Sequence, residues 1–215
     1  MAFSQMIVQM SKGLGSTFGI FALTLLFSLP LGMLIAFLRM SKFAPLSWFA
    51  KIYISILRGT PLMLQLLVVN FAPFYLFGLR WTASKLVPIL IAFSLNYAAY
   101  FAEIYRGGIE SMPAGQYEAA AVLGYSRSQT FLRIILPQVV KRILPSITNE
   151  VITLIKDTSM AYVLSYAEMY YIGKQIASSY ASFTPFVIAG VFYYVFNIAV
   201  AFVMGRIEKS MNYYR

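Results

Sequence analysis

The stretch EAAAVLGYSRSQTFLRIILP, residues 118–137, is polar and basic in a chain that is otherwise very apolar. An alanine-rich run over residues 117–123 favours a short helix, and Gly124 follows where a helix C-terminal cap is expected. Ser126, with Gln129 three residues later, is typical of a capping box, which begins a second helix. The stretch therefore predicts two short helices joined by a turn at Gly124.

The second of these helices carries an apolar side. We expect it to end at Pro137, because proline removes a helical hydrogen bond and clashes with the preceding turn. A hairpin of two short helices with charged and apolar sides is too broken and too polar to cross a bilayer. The hairpin, which we place in a loop over residues 111–137, therefore suits an element that a membrane protein presents to a soluble partner.

The composition places this hairpin in a membrane protein. Of the 215 residues, 60% are hydrophobic and 11% are charged, whereas a soluble domain carries about 25% charged residues. The formal net charge is +10, but the basic residues stand between apolar runs, so a membrane topology signal explains them better than a nucleic-acid surface does. The chain has no cysteine and no histidine, so we expect neither disulfides nor a metal site.

Five apolar segments, each near the roughly 20 residues that a bilayer requires, predict an all-α polytopic membrane protein. We expect one transmembrane domain over the whole chain, 1–215. The predicted spans cover residues 15–38, 61–77, 86–105, 143–164 and 185–207. The first apolar run is too long for a signal peptide, so it predicts a retained helix.

Prolines mark the expected breaks in these spans. Thr60 and Pro61 are expected to cap and to begin the second span. Pro145 is expected to interrupt the fourth span. An N-terminus outside the cell places most of the lysines and arginines, among them Arg58 and Arg215, on the cytoplasmic side. The same orientation makes the hairpin and the C-terminus cytoplasmic.

Charged residues interrupt the fourth predicted span in the segment NEVITLIKDTS, residues 149–159. A charge at mid-bilayer costs about 2.5–3.5 kcal/mol even on lenient insertion scales, so these groups must be paired, hydrated or used. Glu150 and Asp157 are seven residues apart and share a helical face, and Lys156 lies beside that face. Asn96 lies at a similar depth in the third predicted span.

These polar groups suit a zwitterionic substrate. The carboxylates can bind an α-ammonium group, while Lys156 and nearby donors can bind an α-carboxylate. Thr158 and Ser159 are further candidate ligands, although hydroxyls in helices also bond back to the preceding turn. A structural ion pair, with Asn96 bridging two helices, is the alternative interpretation. Two acids against one lysine favour a substrate with an additional positive charge.

The spacing EAA, three residues, G, nine residues, then IxLP, over residues 118–137, resembles the EAA loop of ABC importer permeases. The segments RGTP at residues 58–61 and NEVITLIKDTS at residues 149–159 are similar to those of the polar amino acid uptake family, which includes histidine, glutamine, arginine and glutamate systems. The resemblance covers nearly the whole chain. It implies the binding-protein-dependent permease fold, with five core helices in each subunit.

The resemblance implies a permease subunit of an ATP-driven amino acid importer in the bacterial plasma membrane. It also implies a second permease subunit, identical or different, two ATPase subunits on the cytoplasmic face and an external solute-binding protein. The hairpin would sit in a groove of the ATPase. The residues implied to carry this coupling are Tyr117, Glu118, Ala119, Ala120 and Gly124.

The chain itself is not expected to be an enzyme. It has no G-x-x-x-x-G-K-[ST] sequence for binding nucleotide phosphates. We therefore expect it to bind no cofactor, and ATP and Mg²⁺ to bind the partner ATPase subunit.

An ion-coupled secondary transporter or channel is the alternative function, with Glu150 and Asp157 as a cation site. Such a protein would need neither an ATPase partner nor the hairpin at Glu118. Five predicted spans without an inverted repeat count against it. A membrane scaffold without transport is a third class, and it leaves the intramembrane charges unexplained.

Overall fold

The computed structural model describes residues 3–81 and 84–211, and these ranges are helical without a β-strand. The all-α expectation is therefore confirmed. The α-helices are α1 Phe3–Arg39, α2 Ala44–Gly59, α3 Leu62–Phe77, α4 Leu86–Glu110, α5 Ala114–Val122, α6 Arg127–Thr130, α7 Leu136–Asp157, α8 Met169–Tyr180 and α9 Thr184–Ser210. A π-helical segment, Phe131–Ile135, joins α6 to α7, and a 3₁₀ segment, Thr158–Leu164, follows α7.

Within the described ranges, α1, α4 and α9 are each long and apolar enough to cross a membrane. α2 and α3 reach that standard only as a pair, which is bent by 111° at the break between them. α7 carries more charges than an apolar span holds, among them Glu150, Lys156 and Asp157. The structure thus supports three to four apolar spans, and the count of five stays a prediction.

The expected helix end at Pro137 is wrong, because the chain stays helical from Arg127 through the π-helical segment and α7. Pro137 lies in the first turn of α7, directly after the wider π-helical turn, where the usual helical hydrogen bonds are already rearranged. The Gln138 side chain donates to the backbone oxygen of Ile134 at 2.7 Å. The expected interruption at Pro145 is also absent, since α7 continues through it.

The expected cap at Thr60 is wrong as well. Pro61 takes the N-cap position of α3, and Thr60 ends α2 with an extended backbone, φ −120° and ψ 148°. A residue before proline is forced towards this conformation. The Thr60 hydroxyl donates back to the oxygen of Ile56 at 2.8 Å instead of capping α3.

The bundle is built around α4, which packs against α1, α2, α3 and α7. Phe93, Tyr97 and Phe101 are among the largest fully buried side chains, and they follow one another along α4. Gly32 of α1 allows α1 and α4 to approach each other closely. A Cβ on Gly32 would lie 2.8 Å from Cβ of Phe101 and 3.0 Å from the oxygen of Ala98.

A second, smaller core joins α8 to α1 and α9 around Met10 and Met169. Within it the buried Glu168 caps α8. Its carboxylate accepts hydrogen bonds from the backbone N–H groups of Tyr170 at 2.7 Å and Tyr171 at 2.6 Å, and from the hydroxyl of Tyr193 at 2.9 Å. Burial raises the pKa of Glu168 to about 7, against these three donors, which favour its charged form.

We expect Gly32→Ala to destabilise the protein by about 1–3 kcal/mol, because the added methyl group must push α1 away from α4. Gly19→Ala is the matched control in the same helix, since a Cβ there meets nothing within 4 Å. The measurement is the melting temperature in detergent. Equal melting temperatures for the two variants would contradict the close approach of α1 and α4.

We expect the stability to fall as the pH rises from about 4.5 to about 7. The pKa of Glu168 is raised from 4.5 to about 7 in the folded protein, so between these values the folded state holds a proton that the unfolded chain releases. The loss amounts to roughly 3 kcal/mol. Melting temperatures at about pH 5 and about pH 8 test this, and Glu168→Gln is expected to flatten the difference between them.

Candidate functional site

The hairpin turn forms as its sequence predicts. The N–H of Tyr125 donates to the oxygen of Ala120, and that of Gly124 donates to the oxygen of Ala121, both at 3.0 Å, which together close the end of α5. Gly124 has φ +78°, a left-handed conformation that glycine adopts without strain. Both hydrogen bonds of the capping box between Ser126 and Gln129 are present at the start of α6.

The outer side of this hairpin exposes apolar side chains. Val122 is 88% exposed and Leu123 is 74% exposed, beside the exposed Tyr117 and Glu118. Neighbouring exposed apolar groups with a polar rim mark interaction sites. Ala120 is different, because it is only 1% exposed and packs inside the hairpin. The structure therefore gives Ala120 a packing position, while the docking role expected for the exposed residues stays a prediction.

Polar contacts fix the hairpin to α7. The side-chain amides of Gln116 and Gln138 hydrogen-bond to each other at 2.6 and 2.9 Å. Arg142 donates through Nη1 to the oxygen of Ser111 at 2.7 Å and to its hydroxyl at 2.9 Å. The glutamine pair thus attaches α5, and Arg142 attaches the end of α4, to the helix that carries the intramembrane acids.

The two acids of α7 face the central helix α4. The hydroxyl of Tyr97 donates to Oδ2 of Asp157 at 2.7 Å. Glu150, two turns earlier, is half-buried, and its charge acts on both Tyr97 and Asp157. The seven-residue spacing therefore brings both carboxylates to one side of α7. Sequence reasoning missed Tyr97, although it follows Asn96 directly in the same apolar run.

A cation from α2 contacts the same helix, α4. The guanidinium of Arg58 is 5.1 Å from the centre of the Tyr100 ring, and its Nη1 is 3.9 Å from Oε2 of Glu103. Its charge also acts on Glu150. Arg58 was expected on the cytoplasmic side between the first two spans, without a contact to α4, because nothing in the sequence shows how α2 folds back against α4.

Lys156 and the two hydroxyl residues are placed differently from the acids. Lys156 is exposed, and its charge acts on Asp157. Thr158 is fully buried and donates to the oxygen of Ile155 at 2.7 Å, while Ser159 donates to the oxygen of Lys156 at 2.8 Å. Both hydroxyls thus bond back to the preceding turn, and a role as substrate ligands stays a prediction for them.

Asn96 braces the break between α2 and α3. It is 4% exposed, and its Nδ2 donates to the oxygen of Leu57 at 3.1 Å and to Oε1 of Gln65 at 3.0 Å. Nε2 of Gln65 donates to the oxygens of Leu57 and Thr60 and to the Thr60 hydroxyl. Asn96 therefore directs its amide donors to the broken helix, and its role as a substrate ligand stays a prediction.

A membrane helix bundle with carboxylates inside it, and with an exposed docking hairpin at one end, is the arrangement of a transporter's membrane subunit. Residues 28–213 match the family of binding-protein-dependent transport system inner membrane components. The chain belongs to this family. The resemblance to ABC importer permeases is thereby confirmed, and the chain is a multi-pass permease subunit of that class.

Individual relatives agree with this assignment. The chain is 37% identical over 212 residues to the putative glutamine transport system permease protein GlnP of Rickettsia bellii, covering 97% of this chain and 95% of the relative. It is 36% identical over 206 residues to the arginine transport system permease protein ArtQ of Bacillus subtilis, covering 94% and 91%. A crystal structure of an amino acid ABC transporter with histidines is 30% identical, with a TM-score of 0.88, covering 98% of this chain and 99% of that one.

Proposed function

We propose that this permease subunit imports a polar amino acid in an ATP-driven transporter of the bacterial plasma membrane. The observation that carries the proposal is the pair of half-buried carboxylates, Glu150 and Asp157, on one side of α7 against Tyr97. Buried acids of this kind are costly, and they are retained where a substrate or a partner uses them. The relatives named for glutamine and arginine transport support the amino acid class.

Charge complementarity favours a zwitterion at this site. An α-ammonium group can bind between Glu150 and Asp157, with Oδ1 of Asn96 as a further acceptor. Lys156 was the one cation expected near the acids, and Arg58 now joins it. With two acids against two cations, an additional positive charge on the substrate is compatible with the site but is no longer required by the charge balance.

Coupling to ATP is proposed to run through the hairpin. Tyr117, Glu118 and Ala119 lie on its exposed side, and Gly124 turns the chain between its two arms. This surface would dock on the ATPase subunit, which would hold ATP and Mg²⁺. Nucleotide-driven movement of the hairpin would then shift the bundle between inward-open and outward-open packings.

The remaining parts of the assembly follow from the same proposal. A second permease subunit would cover exposed apolar helix surface, and an external solute-binding protein would deliver the substrate. The N-terminus is proposed to lie outside and the C-terminus in the cytoplasm, with one permease domain over residues 1–215. Arg215, one of the basic residues behind this orientation, lies outside the described residues.

We expect Gly124→Ala to lower substrate uptake several-fold while ATP hydrolysis and membrane insertion persist. A left-handed residue with a Cβ costs roughly 1–2 kcal/mol, which distorts the turn. Gly115→Ala is the matched control in α5, because a Cβ there meets nothing within 4 Å. Uptake and ATPase activity are measured side by side in proteoliposomes.

Glu118→Lys, which reverses a charge on the docking side, is expected to uncouple uptake from ATP hydrolysis as well. Normal uptake at normal expression in these variants would refute the coupling role of the hairpin.

We expect Glu150→Gln combined with Asp157→Asn to lower uptake by about 10- to 100-fold, the loss of one or two charge-assisted hydrogen bonds. Glu208→Gln, a change of an exposed acid at the end of α9, is the control. The measurement is amino-acid-stimulated ATPase activity and uptake of the complex reconstituted with its ATPase and binding protein. If no ATPase subunit co-purifies and ions alone are moved, the secondary-transporter function replaces this one.

A further inference from the structure

The proposed site needs a positive pole opposite its two acids, and Lys156 is poorly placed to supply it. Lys156 is exposed and follows Glu150 by six positions, so it points away from the face that the two acids share. The charge of Lys156 acts on Asp157 from the side.

Arg58 contacts α4 about one turn from Tyr97, and its charge acts on Glu150. Its guanidinium is 5.1 Å from the centre of the Tyr100 ring. The Tyr100 and Tyr97 rings are 6.2 Å apart, and Tyr97 holds Asp157. The neighbouring rings of Tyr100 and Tyr97 thus connect the cation to the acid along α4. Tyr97 is buried, whereas Tyr100 is partly exposed. An amino acid beside Tyr100 can place its carboxylate at Arg58 and turn its ammonium group towards Glu150, on which the charge of Arg58 acts.

Arg58 is held in place by its neighbours, but its guanidinium can still bind a further partner. Glu103, its ion-pair partner at 3.9 Å, is bound more closely by Arg106 through two contacts of 2.6 and 3.0 Å. The side chain of Arg58 is 43% exposed, so it can accept another partner. Arg58 also stands in the last turn of α2, next to the break that Asn96 and Gln65 brace, which fixes the direction from which it approaches α4.

We propose that Arg58, rather than Lys156, binds the α-carboxylate of the transported amino acid. The inference rests on the proposed amino acid function and names the specificity-determining residue of the same site. A guanidinium binds a carboxylate through two parallel hydrogen bonds and stays charged at every physiological pH. Its stacking on Tyr100 keeps the planar group oriented while the substrate arrives and leaves.

The test is a comparison of free amino acids with their α-carboxamides, which lack the negative charge. Radiolabelled L-arginine and L-glutamine are bound to the purified permease–ATPase complex in nanodiscs, and L-argininamide and L-glutamine α-amide compete. The external binding protein is left out, because it would select the substrate independently. In the wild type we expect the amides to compete at least about 10-fold more weakly than the acids.

Arg58→Gln is expected to weaken binding of the free acids about 10- to 100-fold and to abolish their advantage over the amides. Arg58→Lys is expected to restore part of that advantage, which separates loss of charge from loss of folding. Glu103→Gln is the matched control, because it removes the ion pair of Arg58 and leaves the guanidinium in place. It is expected to keep the preference for the free acids over the amides. Lys156→Gln is expected to keep it as well.

Four results would count against these proposals. A preference that survives in Arg58→Gln, or that disappears in Lys156→Gln, overturns the assignment of Arg58 and leaves amino acid import standing. A wild-type complex that binds the acids and the amides equally well also overturns it. A wild-type complex that neither binds nor takes up L-arginine, L-glutamine, L-histidine or L-cystine rejects the proposed function, and the assignment of Arg58 falls with it.

Discussion

The structure depends on holding two carboxylates inside an apolar helix bundle. Glu150 and Asp157 cannot be left bare there, because an unpartnered charge in hydrocarbon costs several kcal/mol. The 2.7 Å hydrogen bond from Tyr97 to Asp157 offsets part of this cost, and it fixes how α7 is turned towards α4. The aromatic residues along α4, with Tyr97 beside Phe93 and Phe101, then pack so that this hydroxyl is presented at one depth.

The break between α2 and α3 leaves a second set of polar groups in the same region that need hydrogen-bond partners. A helix that ends inside a bundle leaves carbonyl groups without partners. Asn96 and Gln65 supply the missing donors to Leu57 and Thr60. Since α2 ends there, Arg58 in its last turn reaches Tyr100 and Glu103 of α4. The end of α2 thus explains both the hydrogen bonds of Asn96 and Gln65 and the position of Arg58.

The helix α7 carries the acids of the site and also receives the hairpin. Gln138 near its start pairs with Gln116 of α5, and Glu150 and Asp157 lie roughly three and five turns further along. Gly108 of α4 allows Ile143 of α7 to pack against it with no room for a side chain. A displacement of the docking hairpin would therefore be carried by one packed helix to the acids, without any further connecting element.

The sequence by itself determined the helical membrane class, the hairpin with its Gly124 turn and Ser126 cap, and the shared face of Glu150 and Asp157. These features are local, since they follow from composition, capping chemistry and helical period. The tertiary structure decided which residues distant in the chain come into contact. It engaged Asn96 in the helix break, turned Thr158 into the core, carried α7 through Pro137 and brought Arg58 to Tyr100 and Glu103 of α4. Each of these depends on contacts between residues far apart in the chain, where packing and the need to satisfy buried polar groups override local preference.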